Sequence, residues 1–106
     1  MATAVHDVPE RTRYEVTVDD HLAGFAVYRD VEGVRVFTHT EVFDAYEGQG
    51  VGSALARGAL DEVRARGGRL VAQCPFIAGY IERHDAYRDL VDDDLDARLR
   101  ARRPAE

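Results

Sequence analysis

The stretch AYEGQGVGSAL, residues 45–55, places three glycines at alternating positions directly before a helical pattern. Glycine costs conformational entropy in a helix, so Gly48, Gly50 and Gly52 need a role that offsets this cost. The start of a helix exposes unpaired N–H groups and the positive end of the helix dipole. Glycines let such a backbone approach an anion closely. The stretch therefore predicts a phosphate cradle or, alternatively, a tight strand–helix turn without a ligand.

Three strand patterns precede the glycines. TRYEVTVDD (12–20) alternates polar and apolar residues, HLAGFAVYRD (21–30) is rich in aromatic and β-branched residues, and VRVFTHTEVF (34–43) is the longest candidate. Gly33 supplies a turn between the last two. The order predicts an antiparallel three-stranded meander.

A helix, a strand and further helices follow the glycines. Apolar residues recur at spacing four from Val51 to Val63, and RGG (66–68) supplies a glycine C-cap. RLVAQC (69–74) is a short strand, and Pro75 suits the first turn of a C-terminal helical region. A right-handed crossover would make this strand parallel to the third one. We therefore predict the α/β class, with a mixed sheet and helices on its faces.

The chain of 106 residues is long enough for one small domain. The polar residues 1–11 predict a flexible N-terminus, and residues 96–106 predict a charged C-terminal tail. The folded domain is expected over residues 12–95.

Composition excludes several classes of function. The net charge of −6 gives no support to nucleic-acid binding, and the short basic run RLRARR is offset by neighbouring aspartates. The single cysteine, Cys74, excludes an internal disulfide. No apolar run approaches the roughly 20 residues of a membrane span, and the N-terminus lacks the apolar region of a signal peptide. We predict a cytoplasmic protein without a metal site, a nucleic-acid partner or a membrane anchor.

Two common phosphate loops do not fit the glycine stretch. The P-loop requires a lysine, whereas all 14 basic residues of this chain are arginines. The dinucleotide fingerprint accepts Gly48 and Gly50, but Ser53 occupies the position of its third glycine.

A third loop fits better. VFDAYEGQGVGSAL (42–55) resembles the acyl-CoA loop of the GNAT superfamily of N-acetyltransferases, whose motif is Arg/Gln-x-x-Gly-x-Gly/Ala. On this match Gly50 and Gly52 are the motif glycines, and Val42 is the strand position whose backbone pairs with the pantetheine arm. Glu47 departs from the motif, because the family has Arg or Gln there. THTEV and CPFIAGYIERHDAYRDLV resemble a small stand-alone branch of the same superfamily.

The resemblance implies a minimal GNAT-like fold that transfers acetyl from acetyl-CoA to an amine acceptor, a small molecule or a peptide. A non-catalytic acyl-CoA-binding or interaction module is the alternative. We expect the acceptor site to be open or completed by another chain, in a monomer or a homodimer. The implied cofactor-binding residues are Val42, Phe43, Gly48, Gln49, Gly50, Val51, Gly52 and Ser53.

Four residues are catalytic candidates, since the chemistry needs a base for the ammonium and an acid for the leaving thiolate. Glu41 is the candidate base, and His39 on the same strand face suits a proton relay. A solvated carboxylate and a structural histidine are the alternatives. The resemblance places Tyr80 near the thioester sulfur, although a core aromatic is equally consistent. Cys74 is either a thiol beside the acetyl group, at the start of the following helix, or a small buried hydrophobe.

Overall fold

The computed structural model describes residues 2–102, which form one five-stranded sheet and three α-helices. The strands are β1 (Thr3–Val8), β2 (Arg13–Val18), β3 (His21–Val31), β4 (Val34–Val42) and β5 (Leu70–Ala72). The helices are α1 (Val51–Ala65), α2 (Pro75–Arg83) and α3 (Asp93–Ala101), with short 3₁₀ segments at Pro9–Arg11, Asp44–Tyr46 and Asp85–Leu90. Within the described residues, no helix is both long and apolar enough to cross a membrane.

The strands lie in the order β1-β2-β3-β4-β5. The first four are antiparallel to their neighbours, and β5 is parallel to β4 after the crossover through α1. The predicted mixed sheet and its parallel last strand are therefore confirmed. The predicted meander corresponds to β2, β3 and β4.

The predicted flexible N-terminus is wrong for Thr3–Val8, because these residues form the edge strand β1 along the whole of β2. One face of β1 packs against α1 so closely that a Cβ on Gly58 would lie 2.6 Å from the Cβ of Val5. The polar residues that concealed the strand include Asp7, which accepts hydrogen bonds from buried partners. Met1 lies outside the described residues.

The main core lies between the sheet and the helices α1 and α2. The apolar residues predicted at spacing four in α1 are all buried: Val51, Leu55, Ala59 and Val63. Gly67 ends this helix with φ +70°, as the predicted glycine C-cap requires. Strand β2 contributes Tyr14, Val16 and Val18 to the same core.

The opposite face of the sheet carries α3, and residues 96–101 of this helix belong to the predicted charged tail. Leu95 and Leu99 are buried against Val34, Val36 and Val71 at the beginning of β4 and the middle of β5. The boundary predicted at residue 95 therefore divides a packed helix. The burial of two leucines at helical spacing is enough to hold this helix on the sheet, although most of its other residues are charged. Residues 103–106 lie outside the described part of the chain.

The buried side chain of Arg35, near the beginning of β4, links β1, β2 and β3. The Arg35 guanidinium donates to Asp30 at 2.9 and 3.0 Å, to Asp7 at 3.2 Å and to the Tyr14 hydroxyl at 2.8 Å. It lies 3.7 Å from the centre of the Tyr28 ring. We call these five residues the Arg35 cluster.

Candidate functional site

The strands β4 and β5 pair over only three residues and then diverge. Their last pair is Phe37 with Ala72. Beyond it, the Phe37 carbonyl accepts from the N–H groups of both Gln73 and Cys74, at 2.9 and 3.2 Å. Residues 38–42 of β4 consequently pair with β3 alone.

This divergence leaves an unpaired backbone edge on β4. The Phe43 N–H donates to the Ala23 carbonyl at 2.9 Å, and backbone groups in an antiparallel strand point alternately to either side. The N–H and C=O groups of Thr40 and Val42 therefore point away from β3, towards the edge that β5 has left. These groups are available to a ligand that extends along the edge.

The start of α1 lies beside this edge and exposes further donors. Gly50 caps the helix with φ +76°, a conformation that favours glycine, and no described side chain caps it. The first helical hydrogen bond runs from the Ala54 N–H to the Gly50 carbonyl. The N–H groups of Val51, Gly52 and Ser53 therefore have no partner within the helix.

A groove of about 390 Å³ lies between the β4 edge and the start of α1. Six of the eight predicted cofactor-binding residues line it. The lining residues are Thr40, Val42, Tyr46, Glu47, Gly48, Gly50, Val51, Gly52, Ser53 and Phe76.

The other two predicted residues, Phe43 and Gln49, do not line the groove. Gln49 donates through its side-chain nitrogen to the Ala45 carbonyl at 3.3 Å, which braces the glycine loop. The Phe43 ring packs against Phe25, with 6.1 Å between the ring centres.

Three lining residues were not predicted from the sequence: Thr40, Tyr46 and Phe76. Phe76 follows Pro75 in the first turn of α2, and its side chain is the large apolar one most exposed among the described residues, at 38%. A Cβ on Gly52 would lie 2.8 Å from the end of the Phe76 ring, so the glycine leaves room for the ring as the groove wall. Alternation along β4 places Thr40 beside Val42, and this signal was present in the sequence.

Glu47, which departs from the superfamily motif, is exposed and lines the groove near Gly48 and Gly50. No described arginine lies within ion-pair distance of its carboxylate. A carboxylate in this position opposes the attraction that the start of α1 exerts on anions. Its negative charge therefore makes the groove less favourable to an anion.

Cys74 lies where β5 ends and α2 begins. Its side chain is buried, with the sulfur 3.3 Å from the hydroxyl of Thr40, which itself lines the groove. The thiol is thus one side chain away from the groove and also part of the main core. Both predicted roles, participation and packing, agree with this position.

A β-bulge in β4 decides which residues face the groove. Phe37 lies opposite Tyr28 and His39 lies opposite Val27, so Thr38 is an extra residue in β4. After such a bulge the strand turns its side chains relative to the preceding segment.

His39 and Glu41 lie on the sheet face opposite the groove, since their neighbours Thr40 and Val42 line it. Their side chains form a pair, with 3.6 Å between the His39 Nε2 and a Glu41 carboxylate oxygen. Both are at least half exposed. The predicted proximity of the two residues is present, but β4 separates them from Cys74.

Tyr80 is buried in the main core and does not line the groove. Its ring stacks on His84, with 3.9 Å between the ring centres. The four predicted catalytic residues therefore lie in three places: an exposed pair, a thiol beside the groove and a core aromatic.

Residues 13–90 match the family of GCN5-related N-acetyl-transferases, and this match spans well over half of the chain. The chain belongs to this family. The family predicted from the glycine loop is confirmed, and with it the assignment as an N-acetyltransferase. Members of this family act on small-molecule or peptide acceptors.

Two solved structures are similar to this chain, and the first of them shares its fold. A GCN5-like protein from Staphylococcus aureus shares 24% identity, with a TM-score of 0.64 over 84% of this chain and 87% of that one. A GNAT-family protein from Desulfovibrio desulfuricans shares 27% identity, with a TM-score of 0.49 over 70% of this chain and 52% of that one. No curated protein matches the sequence.

Proposed function

We propose that this N-acetyltransferase uses acetyl-CoA and transfers the acetyl group to a primary amine. The observation that carries the proposal is the groove, in which free helix N–H groups lie beside an unpaired strand edge. The N–H groups of Val51, Gly52 and Ser53 would hold the diphosphate, and the backbone of Thr40 and Val42 would hold the pantetheine amides. Gly48 and Gly50 support this fit, because open space lies where their Cβ atoms would be.

Bound acetyl-CoA supplies a thioester carbonyl that an amine can attack. A C–N bond forms, the C–S bond breaks, and CoA leaves as a thiol. The attacking ammonium must first lose a proton, which the Glu41 carboxylate accepts directly or through His39. The Cys74 thiol, held by Thr40, either protonates the leaving sulfur or receives the acetyl group before the amine does.

Titration calorimetry tests the binding step. We expect the wild-type protein to bind both acetyl-CoA and CoA, and Gly50→Glu to bind neither. Absence of wild-type binding at millimolar ligand would contradict the proposed use of the groove.

The alternative is an acyl-CoA-binding module without efficient turnover, and the position of Glu47 in the groove favours it. The two functions differ in whether an acceptor accelerates the release of free CoA thiol. We expect the release to increase when polyamines or lysine peptides are added to the protein with acetyl-CoA. Equal release with and without amines would favour the binding module.

The role of Cys74 is tested by Cys74→Ser and Cys74→Ala. If the thiol participates, both changes lower turnover while the affinity for CoA is retained. If it only packs, turnover stays near that of the wild type. Because the chain has no lysine, an added acetyl mass that hydroxylamine removes would indicate acetylation of this thiol.

The cytoplasmic location and the oligomeric state stay predictions.

A further inference from the structure

A second cleft lies between α2 and α3 and has a volume of about 360 Å³. Because α2 packs against one face of the sheet and α3 against the other, this cleft lies at the edge of the sheet, beside β5. It is lined by Ala72 of β5, by residues of both helices and by residues of the segment between them. We call it the α2–α3 cleft. Its lining residues are all different from those of the groove.

The outer edge of β5 is paired with the following chain at Leu70 but not at Ala72. The Arg69 carbonyl and the Gln73 N–H bond to β4, so the backbone groups of Leu70 and Ala72 point away from it. The Leu70 carbonyl accepts from the Asp92 N–H at 2.8 Å. The N–H and C=O groups of Ala72 have no hydrogen-bond partner among residues 2–102. One donor and one acceptor of the sheet are therefore free in the α2–α3 cleft.

The chain itself is held so that it does not reach Ala72. Asp92 caps the start of α3 by accepting from the Leu95 N–H at 3.0 Å, which turns the chain away from β5. The Arg69 guanidinium donates to the Val91 carbonyl at 2.8 Å and lies 3.7 Å from the Asp92 carboxylate. The ladder that Val91 begins beside Leu70 therefore stops after one bridge, and the place of its next residue is open.

The charges in the α2–α3 cleft favour a cation. Four carboxylates and two guanidinium groups line it. Two of the carboxylates are compensated by arginines, in the pairs Arg88–Asp93 at 3.1 Å and Arg100–Asp96 at 3.0 Å. The other two belong to Glu82 and Asp85, which are exposed and have no described arginine within ion-pair distance. The cleft therefore has two uncompensated negative charges beside the free backbone groups of Ala72.

We propose that the α2–α3 cleft binds an extended segment of a partner protein that carries a basic side chain. One residue of the segment exchanges two hydrogen bonds with the backbone of Ala72, as a strand added to a sheet edge does. The basic side chain pairs with Glu82 and Asp85, and its methylene stem packs on the apolar lining residues Ile81 and Val91.

A peptide segment fits the cleft better than a free polyamine does. A polyamine would pair with the two carboxylates, but its protonated nitrogens only donate hydrogen bonds and leave the Ala72 N–H without an acceptor. A peptide brings a carbonyl for this N–H, an N–H for the Ala72 carbonyl and a cation for the carboxylates. Because the cleft and the groove share no lining residue, this interaction does not depend on the proposed function.

An NMR titration of the wild-type protein with the capped pentapeptide Val-Thr-Arg-Val-Thr tests the proposal. We expect shifts of the amide signals of residues 72, 78, 81, 82, 85 and 91, and none at residues 50–53 of the groove. Two versions of this peptide with N-methyl groups on alternate amides test the strand pairing. Only one set of amides can face Ala72, so one version should lose binding and the other should retain it.

A pair of double variants tests the charge contacts. Glu82→Gln/Asp85→Asn should raise the Kd of the pentapeptide about three- to tenfold, because two partly solvated charge contacts are lost. Glu10→Gln/Asp20→Asn removes the same charge at exposed positions outside the cleft and should leave this Kd unchanged. The calorimetric Kd of CoA should be the same in both double variants.

Several results would overturn the assignment of the α2–α3 cleft. They are an absence of shifts in the cleft at millimolar peptide, equal binding of the two N-methylated peptides, and an equal Kd in the two double variants. A lower Kd for spermidine than for the pentapeptide would make the cleft a site for a small cation instead. A dimer in sedimentation equilibrium, with shifts of the same amides when the protein alone is concentrated, would assign the cleft to a second copy of this chain. A wild type that binds the pentapeptide but no CoA would contradict only the proposed function.

Discussion

The two halves of β4 have opposite properties. Residues 34–37 are all buried, and 35–37 pair with strands on both sides. Residues 38–42 alternate in exposure, and of these 39–42 pair with β3 alone. The first half supports the Arg35 cluster and the second half borders the groove. One strand therefore contributes stability at one end and binding surface at the other, and the change occurs at the bulge where β5 diverges.

The two ends also differ in how their polar groups are satisfied. In the Arg35 cluster a buried cation has partners from β1, β2 and β3, and no buried side-chain nitrogen or oxygen of the described residues lacks a partner. At the groove, backbone donors at the start of α1 and at the end of β4 have no hydrogen-bond partner among residues 2–102. A polar group without a partner is costly when buried, so such groups accumulate where a ligand can reach them.

Removing Arg35, the buried cation of the Arg35 cluster, should have the largest effect on stability. Arg35→Met leaves Asp7 and Asp30 without their shared partner. Because Asp30 is half exposed, solvent offsets part of the cost, which should be about 3 kcal/mol. We expect this loss in the free energy of unfolding from urea titrations. Arg98→Met removes an exposed arginine that pairs with Glu32 and should leave the unfolding free energy close to that of the wild type. A stability of Arg35→Met within error of the wild type would show that the cluster does not stabilise the fold.

A charge introduced at the start of α1, beside the groove, should strongly weaken CoA binding while the fold is retained. Gly50→Glu places a carboxylate in open space at the helix start, and we expect CoA affinity to fall on the order of 100-fold in calorimetry. Gly50→Ala is the control, because it carries the same strain at φ +76° without the charge. Gly52→Glu is less informative, since it would also displace the Phe76 ring. Equal Kd values for the two Gly50 variants would exclude a charge effect.

Reversing the charge at position 47 should strengthen CoA binding in the groove. Glu47→Arg replaces a repelling carboxylate by a bidentate phosphate donor, and we expect tighter CoA binding by about 0.5–2 kcal/mol. Glu47→Gln separates the loss of repulsion from the new contact and should give an intermediate Kd. An unchanged Kd in both variants would mean that residue 47 does not approach the phosphates.

An effect confined to alkaline pH concerns the stability of the Arg35 cluster. Burial, together with the hydrogen bond that the hydroxyl donates to Asp7, raises the pKa of Tyr28 from 10.0 to about 12. Tyrosines of the unfolded chain ionise near pH 10, so stability is complete below that pH and falls as the pH rises towards 12. Tyr28→Phe should show a shallower loss of unfolding free energy between these values in urea titrations. If the unfolding free energy of Tyr28→Phe falls as steeply with pH as that of the wild type, Tyr28 does not have the raised pKa.

The periodic parts of the fold and the glycine loop were predictable from the sequence. Helix α1, its C-cap and the groove residues around Gly50 follow from local patterns that depend on near neighbours. The strand β1 was missed, because its polar residues are satisfied by distant partners such as Arg35. The separation of Glu41 from Cys74 was also missed, since it depends on the bulge at Thr38, for which the alternation pattern gives no signal.

The three-pair contact between β4 and β5 also affects how the molecule opens. Strands β1 to β4 are joined by long antiparallel ladders, whereas β5 and α2 are attached to them through this short contact and the core side chains. Segments with few backbone contacts exchange their amide hydrogens through local opening that leaves the rest folded. Phe76 at the start of α2 lines the groove, so a local opening of α2 would widen the groove without unfolding the antiparallel strands. Ligand entry through such an opening would depend on the opening rate of one segment, not on the stability of the whole domain.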